Sequence, residues 1–462
     1  METAPILTID FKNFTLGESK SARIADRGFS PESYGVNFYA EQGTMYFAGG
    51  DTDLSTNLED NPICFATDPD YLGQDAYVVG DAGKFYTLNG TTLTKRQTDS
   101  GRTYQIGTSD AVKFLGDLYV TSKTDIAKLT GSTLSSIDAT WWSATRAHGV
   151  LQSSYRHPLE VVEDTLYIGD KNELHTWDGT TSVDAALTLP YYINIISLRK
   201  HPDGRHLIAF CGVTANYSHV RNGGGKIYII DTVNLEWVRE IDIESQIEGS
   251  RNVGGIVYVT YGDKLGYFNG DGIAWVRDLA AGSVTYSHQM SNAEDTLLIR
   301  DGQDVLAYGD LGQGKVWWRP YRTQAASGTV FTALGYKGAD TILTGYQNGS
   351  AVSKLYSVEL NTAGLGGVFY SNHYQLGSHV AIRRIEIDHT LTPASGTHAM
   401  FLQVKDMSGT VLYSGTISYT NDPKQTSRVD LDAFAYDVQI QIYPTNGSMG
   451  FRQIRIYGES IE

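Results

Sequence analysis

The sequence predicts an all-β protein, a β-propeller of about seven blades followed by a C-terminal β-sandwich or jelly-roll domain. Three observations lead there. Glycine is abundant (49), tyrosine is twice as common as phenylalanine (30 against 15) and proline is scarce (11), a composition suited to Tyr-rich strands joined by glycine turns. A hairpin-like unit returns every 40 to 50 residues along most of the chain, the spacing of four-stranded blades. After Tyr370 the repeat stops and apolar–polar alternation takes over.

The unit is clearest in EDTLYIGDKNELHTWDGTTSV (163–183), which reads as strand, polar turn, strand, and an Asp-Gly break into a third strand. Aligning on the second apolar residue of its first strand gives anchors at Tyr77, Tyr119, Tyr167, Ile208, Tyr258, Leu298 and Leu343, separated by 42, 48, 41, 50, 40 and 45 residues. About ten residues after an anchor a second apolar strand ends, at Leu129, Trp177, Phe268 and Tyr308. Gly131, Gly179, Gly270 and Gly309 follow. The dipeptides Asn89-Gly90, Asp178-Gly179 and Asn269-Gly270 favour the φ > 0 turns of tight hairpins. One blade cannot bury both of its faces, so the unit must recur. A pair of β-sandwiches is the alternative, but sandwiches do not repeat at a fixed period. The stretch GVNFYAEQGTMYFAGG (35–50) looks like another strand pair, placed to complete the last blade and close the ring. The expected division is an N-terminal arm with ring-closing strands over 1–44, a propeller over 45–368 and a sandwich over 369–462.

In that last region AIRRIEIDH (381–389), MFLQVKD (400–406), TVLYSGTISY (410–419), YDVQIQIYP (436–444) and FRQIRIYGE (451–459) alternate at period two, with turn signals such as Thr445-Asn446-Gly447 between them. His373, His379, His389 and His398 also fall here, without the spacing of a helix-borne metal site.

Composition bounds the function. The chain has 462 residues, 41% of them hydrophobic, enough for a sizeable core. A net charge of −16 repels phosphate backbones and disfavours nucleic-acid binding. Cys64 and Cys211 lie far apart in apolar segments, which points to buried free thiols. The start METAPILTIDFKNF has neither the basic nor the apolar part of a secretory signal, and no apolar run reaches the ~18 residues of a membrane span. Synthesis in a cytoplasm and no membrane span are therefore expected.

Chemical motifs are absent or defective. GDLGQGKV (309–316) has phosphate-loop spacing at Gly309, Gly314 and Lys315, but Val316 replaces the hydroxyl that would bind magnesium; a hairpin turn is expected. DTDLSTNLEDNP (51–62) starts like a calcium loop, yet lacks the sixth-position Gly and has Pro62 where the closing Glu belongs; a solvated acidic loop is expected. There is no HExxH, no GxSxG and no nominated carboxylate pair. No catalytic residue, cofactor or metal site is expected.

Two insertions carry the residues suited to a partner interface. Residues 132–160 hold Trp141, Trp142, Arg146, Tyr155 and Arg156, and residues 212–225 hold Tyr217, His219 and Arg221. Long loops on a rigid ring are where function concentrates, and Trp, Tyr and Arg are the usual anchors. The competing expectation for Trp141 and Trp142 is that they pack under the ring.

An acidic, Cys-poor chain with a degenerate propeller and a C-terminal β-sandwich resembles tailed-bacteriophage virion proteins, in particular the podophage tail nozzle or hub family. SPESYGVNFYAEQGTMYFAGG (30–50) and YDVQIQIYPTNGSMGFRQIRIYGE (436–459) carry the likeness. The resemblance implies a non-enzymatic protein of the virion tail that forms a ring with copies of itself and contacts neighbouring tail proteins. It also implies proximity to the host or to the DNA exit channel, where acidic walls let DNA slide. Other readings are a receptor- or carbohydrate-binding adhesin, whose exposed Tyr and Trp would stack on sugars, and a glycan-acting propeller enzyme.

Overall fold

The computed structural model describes residues 6–12, 33, 36–39, 44–47, 51–67, 76–145, 151–213, 224–310, 315–322, 329–338, 341–348, 353–359, 367–390, 397–420, 426–446 and 450–461. Their hydrogen bonding makes seven four-stranded antiparallel sheets and one nine-stranded sheet. The seven are the blades of a β-propeller, and every anchor residue lies on the second strand of its own blade. Tyr77 is in Ala76–Gly80, Tyr119 in Asp117–Thr121, Tyr167 in Thr165–Asp170, Ile208 in His206–Val213, Tyr258 in Ile256–Tyr261, Leu298 in Thr296–Asp301 and Leu343 in Thr341–Asn348. All seven are buried.

The turn chemistry is as local as expected. Asn89 pairs with Thr92 across a two-residue turn in which Gly90 has φ +59°, a conformation costly for a residue with a Cβ. Gly309 departs from the pattern: it lies inside the strand Asp304–Asp310, because that strand runs two residues past Tyr308.

The chain divides into two compact units, one of residues 52–303 and 325–357, the other of residues 1–51, 304–324 and 358–462. In the first, the opening strand of each blade neighbours that of the next, and the seventh, Thr329–Tyr336, neighbours the first, Pro62–Thr67, so the ring is closed. The core lies between blades. Tyr77, Val79 and Phe85 of blade 1 pack with Leu118, Val120 and Leu129 of blade 2, and Tyr167 and Leu174 of blade 3 pack with Leu207, Ala209 and Tyr228 of blade 4. Cys64 and Cys211 are buried free thiols.

Ring closure corrects the expectation for residues 35–50. The fourth strand of blade 7 is Asp51–Asp53, continued by the Leu54 N–H donating to the Leu355 carbonyl at 2.9 Å. An ion pair between Lys354 and Asp53 at 2.6 Å crosses the same seam. Val36–Tyr39 and Thr44–Phe47 instead pair with each other, and Met45 and Tyr46 pair with Phe451 and Gly450. A boundary at residue 45 would therefore cut a hairpin.

In the second unit, the nine-stranded sheet runs through Val36–Tyr39, Thr44–Phe47, Gly450–Ser460, Tyr374–Thr390, Thr426–Asn446, Thr397–Lys405 and Val411–Thr420. Ile6–Lys12 and Phe369–Tyr370 are attached to its side. The expected C-terminal strands are present, joined by three from the N-terminus. The 21-residue strand Thr426–Asn446 pairs with Tyr374–Thr390 through its first part and with Thr397–Lys405 through its last, so one strand serves two sets of neighbours.

Candidate functional site

The 132–160 insertion is packed against its own blades. Blade 2 ends in an outer strand of two residues, Ile137–Asp138, which leaves apolar surface uncovered. The short helix Trp141–Thr145 fills that gap. Trp141 stands edge-on to Tyr119 and Trp177, with ring centroids 4.9 and 5.1 Å away, and Trp142 is fully buried. Both belong to an apolar cluster with Phe114, Leu151, Leu159 and Ile168. Trp141 and Trp142 are thus core residues between blades 2 and 3 and offer no surface to a partner, because a shortened strand had to be replaced by something large and apolar. The Arg156 guanidinium donates to the Glu248 carbonyl at 2.7 Å and the Thr285 carbonyl at 2.9 Å, bridging the insertion to the loops before blades 5 and 6. Tyr155 is half-buried, with Lys171 Nζ 5.8 Å from its ring centre. Arg146, Tyr217, His219 and Arg221 lie outside the described residues.

The pseudo-motifs resolve into ordinary structure. Asp304–Asp310 and Lys315–Arg322 form an antiparallel pair with Asp310 opposite Lys315, so Lys315 opens a strand rather than a helix. Residues 311–314 lie outside the described residues. In the 51–62 stretch Asp51, Asp53 and Glu59 are exposed, as expected of a solvated acidic segment, while Asp60 is buried. It accepts from the Tyr86 hydroxyl at 2.7 Å and from the Ala82 and Lys84 amides at 3.2 Å, and burial pushes its carboxyl above the usual range.

The polar groups that do converge come from the opening strands. Glu160 (blade 3), Arg199 (blade 4), Arg251 (blade 5) and Asn292 (blade 6) border a cavity of ≈ 240 Å³, together with Asp110 and His288 from the loops entering blades 2 and 6. Arg199 makes four hydrogen bonds: Nε and Nη2 donate to the Ser250 carbonyl at 3.0 and 2.6 Å, and Nη1 donates to the Leu198 carbonyl at 2.6 Å and to Glu160 at 3.3 Å. Asp110 accepts from the Ala111 and Leu159 amides at 2.8 and 3.0 Å. His288 Nε2 donates to the Ser109 carbonyl at 3.0 Å, with Asp110 3.3 Å away. Burial, reinforced by both arginines and opposed by Asp110, keeps the imidazole neutral by lowering its pKa. Burial raises the Glu160 carboxyl against the pull of both arginines. Arg251 is lowered to about 10, by burial first and then by Arg199. Sequence reasoning missed this cluster. Its signal was a polar residue six to nine positions before each anchor, at 160, 199, 251 and 292.

Two other groups could hold a metal by proximity, and their hydrogen bonds argue against it. In Asp170–Glu173–His175, His175 Nδ1 accepts from the Ala185 amide at 2.8 Å. The neutral ring then carries its proton on Nε2, the atom facing both carboxylates, and has no lone pair left for an ion. In His201–Asp203–His206 Asp203 Oδ1 caps a turn, accepting from the Arg205 and His206 amides at 2.9 and 3.0 Å, Oδ2 accepts from His206 Nδ1 at 2.6 Å, and His201 Nδ1 accepts from the Asp203 amide at 3.2 Å.

In the nine-stranded sheet, Val429, Ala433 and Ala435 face inward while Phe434 and Tyr436 face outward, 50% and 65% exposed. His379 stacks on Tyr436 at 4.5 Å and lies 5.9 Å from Phe434. These aromatics lie in the C-terminal region, where the sequence nominated no interface residue.

No family model and no curated protein matches the chain. Among solved structures it is similar to Chaetomium thermophilum Raptor (10% identity, TM-score 0.42, covering 64% of this chain and 29% of that one). It is also similar to BBS1N in its complex with ARL6DN (13%, 0.46, 69% and 98%) and to the Niastella koreensis GH74 enzyme (14%, 0.42, 78% and 60%). Among the described residues no helix is long and apolar enough to cross a membrane.

Proposed function

We propose that this chain is a non-enzymatic structural component of a phage virion, a tail nozzle, hub or tip protein that assembles with copies of itself and with neighbouring tail proteins. The sequence resemblance supplies the setting. The observation that carries the assembly reading is the outward face of Thr426–Asn446, where Phe434 and Tyr436 expose large aromatic surface. Neighbouring exposed aromatics form a patch suited to an interaction surface, and aromatic residues are enriched at interface centres. The non-enzymatic part is supported by the central cluster, whose carboxylates and His288 are engaged with backbone amides, carbonyls and arginine rather than with a nucleophile.

Sedimentation velocity on the wild type and on the double variant Phe434→Ser/Tyr436→Ser tests this. The wild type is expected to form a defined oligomer as concentration rises, and the variant to stay monomeric with an unchanged thermal melt. A wild type that remains monomeric at every concentration, or a variant that assembles as well as the wild type, would overturn the reading.

A further inference from the structure

The central cavity presents a half-buried cationic group whose fork no protein atom among the described residues occupies. Of the Arg251 guanidinium, only Nε has a partner among the described residues, the Asn292 Oδ1 at 3.0 Å. Nη1 and Nη2, the planar fork that fits a carboxylate, donate to nothing described, although Arg251 lines the cavity. The nearby carboxylates of Glu160 and Asp110 attract Arg251 but accept no hydrogen bond from its fork. Glu160 is held by Arg199 at 3.3 Å, and both Asp110 oxygens accept backbone amides. Arg199 and Arg251 therefore repel each other across a polar cavity with one fork open. Asn252, on the same wall, donates through Nδ2 to the Lys200 carbonyl at 3.3 Å, and its Oδ1 accepts from no described residue. An open cationic fork beside an open acceptor asks for a ligand with an anionic group and a hydroxyl.

The geometry points to a binding site in the propeller centre for a small hydroxylated carboxylate of the hexuronate class, its carboxylate bidentate on Arg251 and a hydroxyl donated to Asn252. A cavity of ≈ 240 Å³ suits one sugar-sized unit rather than a polymer. The carboxylate would offset the Arg199–Arg251 repulsion, and the Asn292 bond to Nε already fixes the plane of the fork. This site lies in residues 52–303 and does not involve the exposed aromatics, so it stands or falls apart from the assembly reading.

Isothermal titration with sodium glucuronate, glucose and inorganic phosphate decides it, using the intact chain and the variants Arg251→Gln and Arg251→Lys. The expected result is saturable glucuronate binding by the wild type, at least tenfold weaker binding in Arg251→Gln, and an intermediate loss in Arg251→Lys, which keeps the charge but not the fork. Glucose, which has the same body without the carboxylate, is expected not to bind. Absence of glucuronate binding, equal binding of glucose, or tighter binding of phosphate than of glucuronate would each overturn the assignment. If Arg251→Gln fails to fold, the three wild-type titrations still decide between these outcomes.

Discussion

At the scale of single residues, one buried histidine and one half-buried histidine set how stability responds to acid. His157 is fully buried; its Nε2 donates to the Lys123 carbonyl at 3.3 Å, and its Nδ1 lies 3.5 Å from Asp170. Burial lowers its pKa even though Asp170 pulls the other way, as it does for His288 beside Asp110, Arg199 and Arg251. In the unfolded chain both would titrate near the ordinary value of about 6.5. As pH falls, the unfolded state therefore takes up these protons first, and the folded state loses stability. Their stabilising effect is complete above about 6.5 and declines as pH drops below it. Asp170 does not interfere in that window. Burial would raise its carboxyl, but His175, His157 and the Gln152 amide hold it below its usual value, so its contribution persists until stronger acid. Thermal midpoints measured from neutral pH to about pH 5 are expected to fall, and to fall less steeply in His157→Gln and His288→Gln. A midpoint that stays level on acidification would contradict the assignment.

At the scale of elements, the decisive case is the helix Trp141–Thr145, which does the work of a strand. Blade 2 has only two residues in its fourth strand, and the tryptophan pair covers what longer outer strands cover elsewhere, such as Ser182–Thr188 in blade 3. Truncating Trp142, fully buried, removes a large side chain from a site with little room to collapse. Trp142→Ala is therefore expected to cost about 3–5 kcal/mol in urea unfolding. Trp275, 59% exposed on the outer strand of blade 5, is the control, and its replacement by Ala should stay within about 0.5 kcal/mol. Similar losses at the two positions would mean that the helix does not seal the gap between blades 2 and 3.

At the scale of the whole molecule, charge and aromatic surface oppose each other. Each copy carries a net charge of −16, so copies repel at long range, while the Phe434–Tyr436 face gains by leaving water. Salt shortens the reach of the repulsion to about 3 Å at 1 M and leaves apolar association intact. Self-association is therefore expected to strengthen as sodium chloride is raised, by at least tenfold in the association constant between dilute buffer and about 0.5 M, where screening is nearly complete. Weakening over that range, read by sedimentation equilibrium, would mean that ion pairs such as those of Arg383 with Asp432 and Glu459 are available to hold copies together instead.

Much of this fold was legible because its signals are local. A strand's period of two, a Tyr anchor and a turn glycine act within a few residues, and their recurrence every 40 to 50 residues is enough to require a ring of blades. The strands of the C-terminal sheet were equally readable from alternation. Tertiary structure decided what depends on residues far apart in the chain. Asp51–Asp53, not the hairpin before it, became the closing strand, because either segment could pair and only the register against Ser353–Glu359 chooses. The Trp pair went inside, as the competing expectation had it, because blade 2 stops short, and only the folded ring shows that vacancy. Glu160, Arg199, Arg251 and Asn292 look like scattered polar residues until the blades bring their opening strands side by side. Each position alone is unremarkable, and the chemistry exists only where the closed ring makes them neighbours.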